Sequence, residues 1–165
     1  LTIGNNPGTD LTVASGCELN INGTNTLSIV TASGATGSIS GSMKFTQAAH
    51  TLVPVDANAV TFNNGASFTA GDLVSTGFSG NVFGSGSSST YNGVVFASGS
   101  TFTQNEGSNP FSINQPNSRV QFQTGSNFIF ALASGLPSLS GRTYGNLEIN
   151  CSSIGLNNLT CLLYT

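Results

Sequence analysis

Four segments of this chain align on a central glycine, and that repeat limits the available folds more than any other feature. They are Leu11-Thr-Val13-Ala-Ser-Gly16-Cys-Glu-Leu19, Val60-Thr-Phe62-Asn-Asn-Gly65-Ala-Ser-Phe68, Val94-Val-Phe96-Ala-Ser-Gly99-Ser-Thr-Phe102 and Val120-Gln-Phe122-Gln-Thr-Gly125-Ser-Asn-Phe128. Five places before the glycine stands Leu or Val, three before it Val or Phe, and three after it Leu or Phe. Mostly polar or small residues separate these positions, among them Thr12, Thr61, Gln121, Glu18, Ser67, Thr101 and Asn127. That alternation fits a strand with one dry face and one wet face. Each copy therefore reads as strand, tight corner, strand, with the glycine supplying a backbone angle that a side chain resists. The next residue is small in every copy (Cys17, Ala66, Ser100, Ser126), which makes Cys17 an expected core filler.

The glycines stand 49, 34 and 26 residues apart. The longest gap has room for two coils, through the weaker segment Leu27-Ser-Ile29-Val-Thr-Ala-Ser-Gly34. Coils of about 20 to 30 residues suit a solenoid. Stacked in parallel, the copies place Phe62, Phe96 and Phe122 in one interior column and Phe68, Phe102 and Phe128 in another. About six or seven coils, each about 4.8 Å above the last, would make a rod of roughly 30 Å. The expected fold is therefore all-β: a right-handed parallel β-helix (β-solenoid) forming a single domain over residues 1–165. An antiparallel β-sandwich is the competing fold, with hairpin turns at Asn22-Gly23, Asn64-Gly65 and Asn92-Gly93. Met43 to Val53 permits a short helix, and equally a strand ended by Pro54.

Composition agrees with a packed solenoid. Gly, Ser, Thr and Asn make up about half the chain, yet hydrophobic residues are 38% and charged residues only 5%. Disorder requires low hydrophobicity and high net charge, and neither is present at a net charge of -3. Ser, Thr and Asn satisfy corners by hydrogen bonding without charge. Lys44, Arg119 and Arg142 are the only cations, too few and too scattered to hold nucleic acid. No stretch approaches the roughly 20 apolar residues of a membrane-spanning helix. His50 is the single histidine and no Cys-x-x-Cys occurs, so neither a metal nor a cofactor is expected. Cys151 and Cys161 allow a bridge or two reduced thiols, and Cys17 is left over. The apolar end Leu162-Leu163-Tyr164-Thr165 leads us to expect a piece of a longer chain.

The repeated Phe-x-x-Gly-Ser-x-Phe, together with Asn109-Pro-Phe111, Gln115-Pro116 and Ser140-Gly-Arg142-Thr-Tyr144-Gly-Asn146-Leu-Glu-Ile-Asn150, carries a resemblance. Over nearly its whole length the chain resembles the β-helical regions of large surface and secreted proteins from bacteria that use type IX secretion. The resemblance implies a location, secreted or at the cell surface, and a role as stalk or display platform beside other modules. The partners implied are neighbouring domains of a longer chain, or self-association through the solenoid ends.

The parallel β-helix also carries polysaccharide lyases and hydrolases, whose sites need clustered carboxylates. The acids here are Asp10, Glu18, Asp56, Asp72, Glu106 and Glu148, with no two closer than eight residues. Apart from an approach of Asp56 to Asp72, they read as isolated solvated groups. Lys44 and Arg119 read as solvated, and Arg142 as a corner cap or a partner of Glu148 in preference to a lyase base or a carboxylate-binding group. No catalytic residue is assigned. The expected function is thus a non-catalytic extracellular structural, display or adhesion module. The alternative is a polysaccharide-binding module in which exposed Tyr91, Tyr144 or Phe78 stacks on sugar rings.

Overall fold

The computed structural model describes residues 1–4, 6–72, 77–85, 91–131, 139 and 141–150. Within them the chain winds through about five turns of a parallel β-solenoid. The first turn holds β1 (Thr2–Ile3), β2 (Leu11–Val13) and β3 (Glu18–Ile21). The second holds β4 (Ser28–Thr31), β5 (Gly37–Ile39), β6 (Ser42–Phe45) and β7 (Gln47–Ala48). The third holds β8 (Thr51–Pro54), β9 (Val60–Phe62), β10 (Ser67–Ala70) and β11 (Gly77–Phe78). The fourth adds β12 (Val94–Phe96) and β13 (Thr101–Gln104), and the fifth adds β14 (Val120–Phe122) and β15 (Asn127–Phe130). Finally β16 (Asn146–Ile149) begins a sixth. Five turns and the start of a sixth are described rather than six or seven: most turns take 23 to 26 residues, but the third takes 34, from Val60 to Val94.

Every strand pair in the register is parallel, which excludes the antiparallel sandwich. The main walls are a five-stranded sheet, β14-β12-β9-β5-β2, and a six-stranded sheet, β16-β15-β13-β10-β6-β3. A three-stranded wall, β1-β4-β8, and the pair β11-β7 complete the lower turns. Met43 to Val53 is strand, not helix, and runs through β6, β7 and β8.

The corners are type II turns. In Ala14–Cys17, Asn63–Ala66, Ala97–Ser100 and Gln123–Ser126 the fourth amide donates to the first carbonyl, at 2.9 to 3.0 Å. The third residue is glycine with φ of 78° to 82°, the left-handed angle this turn demands. Asn64-Gly65 therefore turns a corner and closes no hairpin. The corners also stack, with the Gly65 amide donating to Gly99 O and the Gly99 amide to Gly125 O.

The extra turn inside the 49-residue gap exists, but its corner is not at Gly34. Gly34 makes a type II turn of its own between β4 and β5, closed by the Ala35 amide on Ala32 O. The corner in register with the others is shortened to Ser40-Gly41, between β5 and β6. A second short corner, at Tyr144-Gly145, leads into β16. Both glycines lie directly against the turn of the preceding coil. An added Cβ at Gly41 would overlap the carbonyls of Ala14 and Cys17, and one at Gly145 those of Gln123 and Ser126.

Inside, both expected columns form. Phe62, Phe96 and Phe122 stack with centroids 4.6 and 5.3 Å apart and planes within 8° and 19°. Phe102 stacks on Phe128 at 5.4 Å, while Phe68 tilts against Phe102 at 5.7 Å. The two columns touch, Phe62 meeting Phe68 and Phe122 meeting Phe128 nearly face to face. Such pairs add roughly 0.5 to 1.5 kcal/mol each beyond area burial. In the second turn the columns continue through Ile39 and Met43, both fully buried.

Cys17 departs from expectation. It is exposed, although Ala66, Ser100 and Ser126 at the equivalent place are buried. Their burial comes from a coil on each side, whereas Cys17 sits in the first turn and β3 is an edge strand. Cys151 and Cys161 lie outside the described residues.

Candidate functional site

The ionisable groups hold turns together. Asp10 accepts the amides of Asn6 and Thr36, both at 2.8 Å, which ties the first turn to the second. Those amides hold its carboxyl below the usual carboxylate range. Asp56 accepts the Gly34 amide one turn below. Glu18 pairs with Lys44 on the neighbouring strand at 2.7 Å, and the Ser42 hydroxyl also donates to it. The Lys44 bond, first among the causes, lowers the Glu18 carboxyl as well. Glu106 is buried, not solvated, and accepts the Phe78 amide at 3.0 Å. His50 is 1% exposed; its Nδ1 accepts the Leu27 amide and its Nε2 meets Gly23 O at 2.9 Å. An accepting Nδ1 places the ring proton on Nε2, so this is a neutral imidazole bridging two turns.

A prediction follows for acid. Asp10 and Glu18 have depressed folded values, so their stabilisation is present above the ordinary carboxylate value of about 4 and is lost as pH falls through the folded values. The thermal midpoint should fall between pH 5 and about 2.5. Asp10→Asn and Glu18→Gln should each flatten that fall in a pH series of melting curves. An unchanged slope in the double variant would assign the acid sensitivity elsewhere.

Arg119 corrects another expectation, because it is 2% exposed instead of solvated. Its Nη1 donates to Phe83 O at 3.1 Å, and its Nε finds no partner. Burial pulls its pKa down. Arg142 caps a corner, its Nη2 donating to Ile113 O at 2.8 Å. Its guanidinium carbon lies 4.1 Å over the centre of the Phe111 ring.

The three candidate aromatics separate. Phe78 is only 5% exposed and packs in the core, so it offers no platform for a sugar. It lies on β11, whose in-turned phenyl is covered by the third and fourth turns. Tyr144 takes the next place above Phe122 and Phe128, stacking on them at 6.0 and 6.1 Å. Its hydroxyl donates to Leu139 O at 3.0 Å, and burial pushes its phenol well up, so it stays protonated. Tyr144 thus caps the aromatic column, half-buried, with its ring packed on Phe122 and Phe128. Of the three, Tyr91 alone is an exposed ring, at 47%.

Tyr91 borders a groove of about 360 Å³. Three successive levels of the solenoid build it: Tyr91 and Asn92 before β12, Asn117 and Gln121 around the start of β14, and Arg142 and Thr143 before β16. The Asn92 amide donates to Ser118 O at 2.8 Å, which fixes two levels against each other. Phe111 and Pro116 form part of its wall. Sequence reasoning picked Tyr91 for stacking and weighed Arg142 as a carboxylate binder but did not bring them together: Tyr91, Asn92, Asn117 and Arg142 lie outside the repeated strands, about one coil apart, and Gln121 read only as a wet-face residue of the fourth copy. Among the described residues, no group of three or more His, Cys, Asp or Glu is placed to hold a metal ion. Comparison with protein-family models, with curated proteins and with solved structures finds no match to this chain.

Proposed function

We propose that this chain is a non-catalytic structural module, a rigid solenoid that spaces or displays other domains in a secreted or cell-surface protein. One observation carries the reading: Asp10, Glu18, Asp56, Glu106 and His50 are each bonded across roughly one turn of chain, so they act as fasteners between coils. A lyase or hydrolase needs such groups aimed at a substrate instead. The resemblance to β-helical regions of type IX-secreted proteins supports the same role and location. The natural partners are neighbouring modules, or a second copy packed on a solenoid end. There edge strands such as β2 and β3 leave backbone donors and acceptors for a further strand.

The test measures rigidity and chemistry together. Asn20 and Glu148 share one outward column along the six-stranded sheet. Spin labels at Asn20→Cys and Glu148→Cys, with the three native cysteines changed to serine, should give one narrow distance near about 24 Å, five strand spacings. The same protein should release no reducing ends from uronate or neutral polysaccharides. A broad distance distribution, or sugar release at enzymatic rates, would overturn the proposal.

A further inference from the structure

The groove beside Tyr91 combines three properties not found together elsewhere among the described residues. It has an exposed aromatic ring, several amide side chains, and one positive charge with no acid among its lining residues. An exposed tyrosine presents a flat apolar face to water while keeping a polar tip. Asn92, Asn117 and Gln121 are exposed and offer both donors and acceptors, which suits hydroxyl groups. Arg142 is held in place by Ile113 O and by the Phe111 ring, so its charge is positioned in advance. Preorganisation of that kind reduces the entropy lost on binding. The volume, about 360 Å³, lies at the small end of ligand pockets, roughly 300 to 1,000 Å³.

We propose that this groove binds a short segment of acidic saccharide, a uronate-type chain. A sugar ring packs on Tyr91, its hydroxyls meet the amides of Asn92, Asn117 and Gln121, and its carboxylate faces the charge of Arg142. Charge complementarity selects the acidic sugar over a neutral one, because the lining residues contribute a cation and no anion. The site goes beyond the spacer role and is independent of it: a rigid spacer without a ligand, or a ligand site on a less rigid module, are separable results.

Titration calorimetry with tetragalacturonate and with cellotetraose as neutral control tests it. Tetragalacturonate should bind about tenfold more tightly than the control, a difference of about 1.4 kcal/mol. Its affinity should weaken as salt rises from about 50 to about 500 mM. Tyr91→Ala should weaken both sugars, about tenfold for the acidic one, with an unchanged circular dichroism spectrum. Gln121→Glu should weaken tetragalacturonate several-fold more than cellotetraose, because only the acidic sugar is repelled by the added carboxylate. Arg142→Gln should remove the preference. Because Arg142 also supports its corner, Gln121→Glu decides the matter if that variant misfolds. Equal binding of the two sugars, no binding at millimolar concentration, or indifference to both Tyr91→Ala and Gln121→Glu would each overturn the proposal.

Discussion

Gly41→Ala is expected to unfasten the first turn from the second, at a cost of about 3 kcal/mol, the upper end for overpacking. The backbone at Gly41 is not left-handed, so torsion does not oppose alanine there. The obstacle is steric: the new methyl would overlap two carbonyl oxygens, Ala14 O and Cys17 O, in the turn of the adjacent coil. Backbone cannot swing aside as a side chain can, and the Gly41 and Ser42 amides already bond to Val13 O and Cys17 O at 3.1 and 2.9 Å. Gly145→Ala should act alike at the other end, against Gln123 and Ser126. Gly16→Ala and Gly65→Ala supply the contrast. Their Cβ would meet open space, but their φ of 78° and 81° is left-handed, so each should cost only about 1 to 2 kcal/mol. Urea unfolding measures the four costs, and hydrogen exchange of β1 to β3 amides tests whether Gly41→Ala releases the first turn. Equal costs at Gly41 and Gly65 would refute the steric account of the short corner.

Phe96→Ala should cost about 3 to 5 kcal/mol and lower the whole transition. Phe96 is fully buried mid-column, stacked between Phe62 and Phe122 and flanked by Phe102 and Phe83. Removing its ring leaves a void bounded on four sides by other rings, three of them held on strands and Phe83 in a turn, so they cannot readily close on it. In a quasi-linear stack, each turn gains stability from its neighbours, so a central loss weakens coupling on both sides. Phe96→Leu refills part of the space and should cost less. Tyr91→Ala, at an exposed ring, should stay within about 0.5 kcal/mol of the parent. A thermal or urea midpoint for Phe96→Ala close to that of Tyr91→Ala would mean that the column contributes little.

The repeat made much of this readable beforehand. An apolar residue at every second strand position, with glycine at the third place of a type II turn, is a local rule that recurs without reference to distant contacts. Phe62, Phe96 and Phe122 could therefore be aligned by counting from Gly65, Gly99 and Gly125. The second turn was expected but its corner was misplaced, because that corner is shorter: Ser40-Gly41 bridges β5 and β6 where Asn63 to Ala66 bridge β9 and β10. The glycine-centred pattern therefore fails there, and Gly34 drew attention by resembling it locally. Tyr144-Gly145 escaped for the same reason, so Tyr144 read as a surface ring when it closes the column.

Sequence by itself determined the parallel stacking and the identity of the interior columns, because both follow from a period that neighbouring residues enforce. Only tertiary structure decided which polar groups were buried and what shared a groove. Arg119, Glu106 and His50 carry no local mark of burial; each is enclosed because a neighbouring coil, roughly one turn along the chain, supplies a carbonyl or amide. Tyr91, Gln121 and Arg142 meet on the same ground. Their meeting depends on the lengths of the excursions between strands, and those lengths obey no repeat.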